Sequence, residues 1–136
     1  MKKLFAIAAL SMLFFSCADP QKQEKELLDQ VIDIHDKVMA KDEQVMKAKI
    51  QLDTLLKKDA LPNPDTAATS LLKLLDNADA KMEDWMHKFD AENKGKSHDE
   101  IMAYLADQKK QIEAIDKDFD IVIEATNNYK KSLIKK

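Results

Sequence analysis

From about residue 24 to 135 the apolar positions recur every three or four residues, and no useful length of strand-like alternation appears. The first stretch, about 24–58, carries Leu27, Val31, Ile34, Val38, Val45, Ala48, Leu52 and Leu55 in one line. A second line, Leu28, Ile32, His35, Met39, Met46 and Ile50, runs one residue round, about 100° away on a helix. A single partner helix needs only the first line, so the wide face predicts that this helix touches two neighbours. Asp59-Ala60-Leu61-Pro62-Asn63-Pro64 ends it, because proline has no N–H to continue the hydrogen-bond ladder.

A second helix is predicted over about 64–92, with Asn63 as N-cap and Pro64 at its first position. Its seam is Leu71, Leu75, Ala78, Met82, Trp85 and Phe89, widened by Leu72, Leu74 and Met86. Trp85 and Phe89 read as core anchors, with the indole N–H directed to the rim. Gly95, the only glycine, sits in the turn Asn93-Lys94-Gly95-Lys96 and suits a left-handed helix end. Ser97 and Glu100 then fit a capping box and open a third helix, about 98–135. Its seam alternates steps of four and three throughout: Ile101, Leu105, Gln108, Ile112, Ile115, Phe119, Val122, Thr126, Tyr129 and Leu133. Short connections make consecutive helices antiparallel. The predicted fold is therefore all-α, an elongated up-down-up three-helix bundle with coiled-coil-like heptad seams. A helical hairpin that completes its core by dimerising is the alternative.

A different pattern precedes the heptads. Lys2 and Lys3 lead an apolar run from Leu4 to Phe15, broken only by Ser11, and Ser16 and Cys17 follow. A basic head, a short apolar middle and a small residue before the cut predict a secretory signal peptide over 1–16. The run is far shorter than the roughly 20 residues a membrane-spanning helix needs. Residues 17–23 are polar and contain Pro20, which predicts a short flexible tether.

The stretch Leu13-Phe14-Phe15-Ser16-Cys17 resembles the lipobox of bacterial lipoproteins. It departs from the usual pattern in placing Leu13 one position early and Phe15 where a small residue is common. The resemblance implies that Cys17 becomes the acylated first residue of the mature chain, anchored to a membrane through its acyl groups. It also implies a cell-envelope location, with Ala18 rather than aspartate after the cysteine favouring the outer membrane, facing the periplasm or the cell surface. An ordinary cleaved signal with a spare cysteine is the plainer reading. The segment Lys81 to Phe89 is similar to one in small envelope lipoproteins, some of which carry the label "viral A-type inclusion protein". That resemblance brings no activity with it.

Composition narrows the classes of function. Cys17 is the only cysteine, so no internal disulfide forms, and acylation would remove a thiol that is a liability in an oxidising compartment. Removing Lys2 and Lys3 with the leader leaves 20 Lys against 25 Asp plus Glu, a net charge of −5 where the whole chain has −3. Arginine is absent, and together with net acidity this argues against nucleic acid as a partner. One glycine cannot build a phosphate-cradling loop, and no nucleophile motif is present, so an enzyme is not predicted and no cofactor is expected.

Three further constellations merit weighing. Asp116-Lys117-Asp118-Phe119-Asp120 opens like a calcium loop but has Ile121 where glycine is needed and Asn127 where a bidentate glutamate belongs. His35, Met39, Met82, Met86 and His87 form a soft ligand set that suits cuprous copper, though methionines at helical spacing more often fill core gaps. Ala114, Ile121 and Ala125 form a shallow apolar strip outside the third seam, a candidate contact for an envelope protein partner or for self-association. The function these features predict is a lipid-anchored, non-enzymatic interaction or structural module of the bacterial envelope. The alternatives are a linker to peptidoglycan similar to murein lipoprotein, with Lys136 as attachment point, or a periplasmic Met/His metal-binding protein.

Overall fold

A computed structural model describes residues 19–57 and 65–134. The leader, Cys17, Asn63 and Pro64 lie outside the described residues. Three helices make up the fold: α1 (Pro20–Lys57), α2 (Thr66–Lys88) and α3 (His98–Ile134). At about 1.5 Å per residue, α1 and α3 are each more than ~50 Å long. Cross-helix pairs give their directions. Glu24 meets His98, Gln30 meets Lys109 and Gln51 meets Lys130, so α1 and α3 ascend together. Lys49 meets Asp76 and Asp79 while His35 meets Trp85, so α2 descends between them. The bundle is up-down-up.

The core is built from the three first seams. Val31, Val38, Val45, Ala48 and Leu52 from α1 pack with Ala68, Leu75, Ala78, Met82 and Trp85 from α2. Helix α3 contributes Leu105, Ile112, Ile115, Phe119 and Val122, and its polar seam members Gln108 and Thr126 are buried with them. Thr126 satisfies its hydroxyl on the Val122 carbonyl at 2.8 Å, one turn back.

Three helix ends differ from the sequence expectation, each for a local reason. Helix α1 takes in Pro20–Gln23, which the tether was expected to hold. Asp19 accepts from the Gln21 N–H at 3.1 Å, and proline is pre-shaped for the first helical position, so Asp19-Pro20 starts a helix where a flexible tether was expected. Helix α2 is capped by Asp65, whose carboxylate accepts from the Ala68 N–H at 2.8 Å, and begins at Thr66. The expected cap, Asn63, lies outside the described residues. Helix α2 also stops at Lys88 rather than near Glu92.

That last difference comes from Asp90. Its carboxylate accepts from the Glu92 and Asn93 N–H groups and from the Lys96 ammonium, while its own N–H donates to the Tyr104 hydroxyl. Lys96 first, and then the Glu92 N–H, hold its carboxyl below the usual carboxylate range. The side chain thus offers the backbone a turn that competes with helix continuation. Asn93 and Gly95 both adopt the left-handed region, at φ 49° and 79°. The capping box at the start of α3 forms, with the Ser97 N–H donating to the Glu100 carboxylate at 2.7 Å.

Candidate functional site

The second apolar line of α1 is where the structure leaves the core open. Ile32, Met39, Met46 and Ile50 are between 38% and 62% exposed. Their steps of seven, seven and four keep them on one face, turned from the core beyond His35, Asp42 and Lys49. Helix α1 does have two neighbours, but α2 covers only the nearer part of this face. Met86 of α2, also exposed, continues the apolar surface across the groove.

Two concavities lie along this α1–α2 groove. The upper one, about 380 Å³, is lined by Ile32, His35, Asp36, Trp85, Met86 and Phe89. The lower one, about 300 Å³, is lined by Met46, Lys49, Ile50, Asp53, Leu72 and Asp76. Aromatic packing stiffens the upper wall. His35 lies 5.9 Å from Trp85, Trp85 stacks on Phe89 at 4.8 Å, and Phe89 stacks on Tyr104 at 6.3 Å. Lys96 caps this row, 4.5 Å from the Tyr104 ring centre. Trp85 is only 5% exposed and its Nε1 is buried without a partner among the described residues, which corrects the expectation that its N–H reaches the rim. The ring is held by packing against His35 and Phe89, with no hydrogen bond from Nε1 among the described residues.

Carboxylates border the groove. Asp36 and Asp53 stand on the α1 side, and Asp76 and Asp79 on the α2 side. Asp42 sits half-buried between them, its pKa raised by burial and then by Asp79, with Lys49 opposing. One of its carboxylate oxygens is buried without a partner among the described residues. Among the described residues Lys49 is the lysine that bridges the two helices, bonding Asp79 at 2.8 Å and Asp76 at 2.9 Å. Its pKa is raised, chiefly by the hydrogen bond to Asp79. Sequence periodicity exposed the apolar line but not these acids. Their signal was there: Asp36 and Asp53 flank the open face, four residues after Ile32 and three after Ile50.

The other constellations are distributed as follows. His35 and Met86 share the upper concavity, with His35 Nδ1 2.9 Å from Asp36, whereas Met39, Met82 and His87 do not line it. Met82 lies in the core at 2% exposure, and His87 is exposed at the end of α2. Among the described residues no group of three His, Cys, Asp or Glu side chains is placed to hold a metal ion. Asp116 and Asp120 both clamp Lys41 of α1 at 2.7 Å, and Asp118 bonds Lys81 of α2 at 2.7 Å. This acidic run is a staple between helices. Ala114, Ile121 and Ala125 follow the α2–α3 groove without converging: Ala114 lines one concavity, Ile121 lines another opposite Leu74, and Ala125 is half-buried.

No family model matches the chain, and comparison with curated proteins and with solved structures likewise gives no match. Among the described residues no helix is long and apolar enough to cross a membrane.

Proposed function

We propose that this chain is a lipid-anchored, non-enzymatic interaction module of the bacterial cell envelope, held at the outer membrane through acyl groups on Cys17. The observation that carries the reading is the leader itself: a basic head, a short apolar run and the chain's single cysteine at its end. Helix α1 begins at Pro20, only three positions after Cys17, so an acylated chain has almost no spacer between lipid and bundle. Such a bundle stands directly on its membrane and presents its long grooves to neighbours in the envelope. An open apolar groove on a helical scaffold suits binding of a partner better than chemistry. The peptidoglycan-linker reading has only Lys136 in its favour, and no observation favours the metal reading.

Intact-mass analysis of the chain recovered from expressing cells tests the anchor. The expected result is a chain that begins at Cys17 and carries acyl chains, with Cys17→Ser lacking them. A mature Cys17 without acyl groups overturns the reading.

A further inference from the structure

The open groove between α1 and α2 has a definite shape and charge. Its apolar line runs from Ile32 to Ile50, about 27 Å at 1.5 Å per residue, enough to seat roughly five turns of another helix. Two of its four members are methionines, and Met86 joins them from α2. Methionine's flexible thioether lets an exposed surface fit apolar side chains of varied shape.

Charge decides the occupant. The α1 bank carries Asp36 and Asp53 and the α2 bank Asp76 and Asp79; Lys49 bonds the latter two and Lys57 bonds Asp53 at 2.6 Å, so four carboxylates against two ammonium groups leave the banks acidic. A second copy docked groove to groove would bring acidic banks against acidic banks. An anionic membrane surface would be repelled for the same reason. A helix with an apolar face flanked by lysines or arginines would satisfy both the floor and the banks.

We infer that the α1–α2 groove is a binding site for a basic amphipathic helix of a partner protein, which completes the bundle as a fourth helix. The inference deepens the interaction-module reading but does not need the acyl anchor. The apolar floor supplies the affinity, and the carboxylates set which partners enter and how fast.

Trp85, the only tryptophan, forms part of the groove wall and reports on occupancy. The test titrates the full chain, in phosphatidylcholine nanodiscs where it is acylated and in buffer where it is not, with an 18-residue helical peptide of leucine and lysine. The leucines follow the three-four spacing, and a second peptide replaces every lysine by glutamate. The lysine peptide is expected to shift Trp85 emission saturably, with affinity falling tenfold or more in Met39→Gln/Met46→Gln and several-fold in Asp53→Asn/Asp76→Asn. The glutamate peptide is expected to leave emission unchanged, and Ile121→Gln, in the other groove, is expected to bind as wild type does. Equal binding of both peptides overturns the inference, as does binding that survives Met39→Gln/Met46→Gln. So does concentration-dependent dimerisation that this double variant abolishes, because the groove then belongs to a second copy. Loss of the acyl anchor with peptide binding intact leaves the groove standing and removes only the anchoring.

Discussion

Both sides of α1 carry apolar residues and treat them in opposite ways. On the α3 side the seam is roofed by paired polar side chains. Lys41 spans to Asp116 and Asp120, Glu24 to His98, Gln30 to Lys109 and Gln51 to Lys130. Ile123 is packed beneath this roof, half-buried against the core. On the α2 side Lys49 makes the cross-helix ion pairs, and Ile32, Met39, Met46 and Ile50 stay exposed along the groove. Long lysine stems cover apolar surface when a carboxylate on the facing helix fixes the ammonium. Where the facing residues are mostly acids and the near ones apolar, no such roof forms. The first side is built for cohesion and the second is left open.

The largest expected effect breaks both sides at once. Ile112 is fully buried in the shared core, so Ile112→Asp places a charge there and is expected to destabilise the bundle by about 4 kcal/mol or more in denaturant melts. A loss under ~1 kcal/mol would mean that the heptad phase does not define the core.

Lys41→Ala isolates the roofed side. Burial lowers the Lys41 pKa, but its hydrogen bonds to Asp116 and Asp120 outweigh that and leave it raised. A raised lysine stabilises fully below its unfolded value of 10.5 and loses that stabilisation as pH rises through the folded value. Removing it also leaves two carboxylates without their common partner. The substitution is expected to cost about 1 kcal/mol at neutral pH, and less in a melt well above pH 10.5. A cost that does not diminish in alkali would assign the effect to lost packing of the lysine stem.

Asp42→Asn isolates the open side, and the sign reverses. The Asp42 pKa is raised, so its folded form favours the proton: its own contribution to stability is best below the unfolded value of 3.8 and is lost as pH rises through the folded value. Asp42→Asn is therefore expected to stabilise the bundle at neutral pH by ~0.5–1 kcal/mol, with the gain fading below pH 3.8. Destabilisation at neutral pH would mean that attraction to Lys49 outweighs burial and Asp79.

The same contrast explains what could be read from the chain. Every member of the α3 seam from Leu105 to Thr126 is buried, because each lies within the narrow arc that two neighbours can cover. Leu27, Ile34 and Leu55 of α1 are only half-buried, since they flank that arc. Periodicity shows that Met39 and Met46 share a face, but not that α2 stops short of it. That depends on where Asp79 and Lys49 set the spacing of two helices. Helix ends were legible where the signal was reciprocal, as in Ser97 and Glu100, and hidden where one side chain overrode a helical pattern, as at Asp90. Pro20 misled because proline marks a break in most contexts and a beginning in this one. The lipobox-like leader carries no information about the groove, which emerged only once α1 and α2 were placed side by side.

Methyl NMR of the methionines gives the most direct test that the open side is the docking side. Met39, Met46 and Met86 line or border the groove, Met82 is sealed in the core and Met102 is half-buried on α3. On titration with the leucine–lysine peptide, Met39, Met46 and Met86 are expected to shift together and saturably, while Met82 and Met102 hold still. Shifts confined to Met102, or spread equally over all five, would contradict the account and place the partner elsewhere.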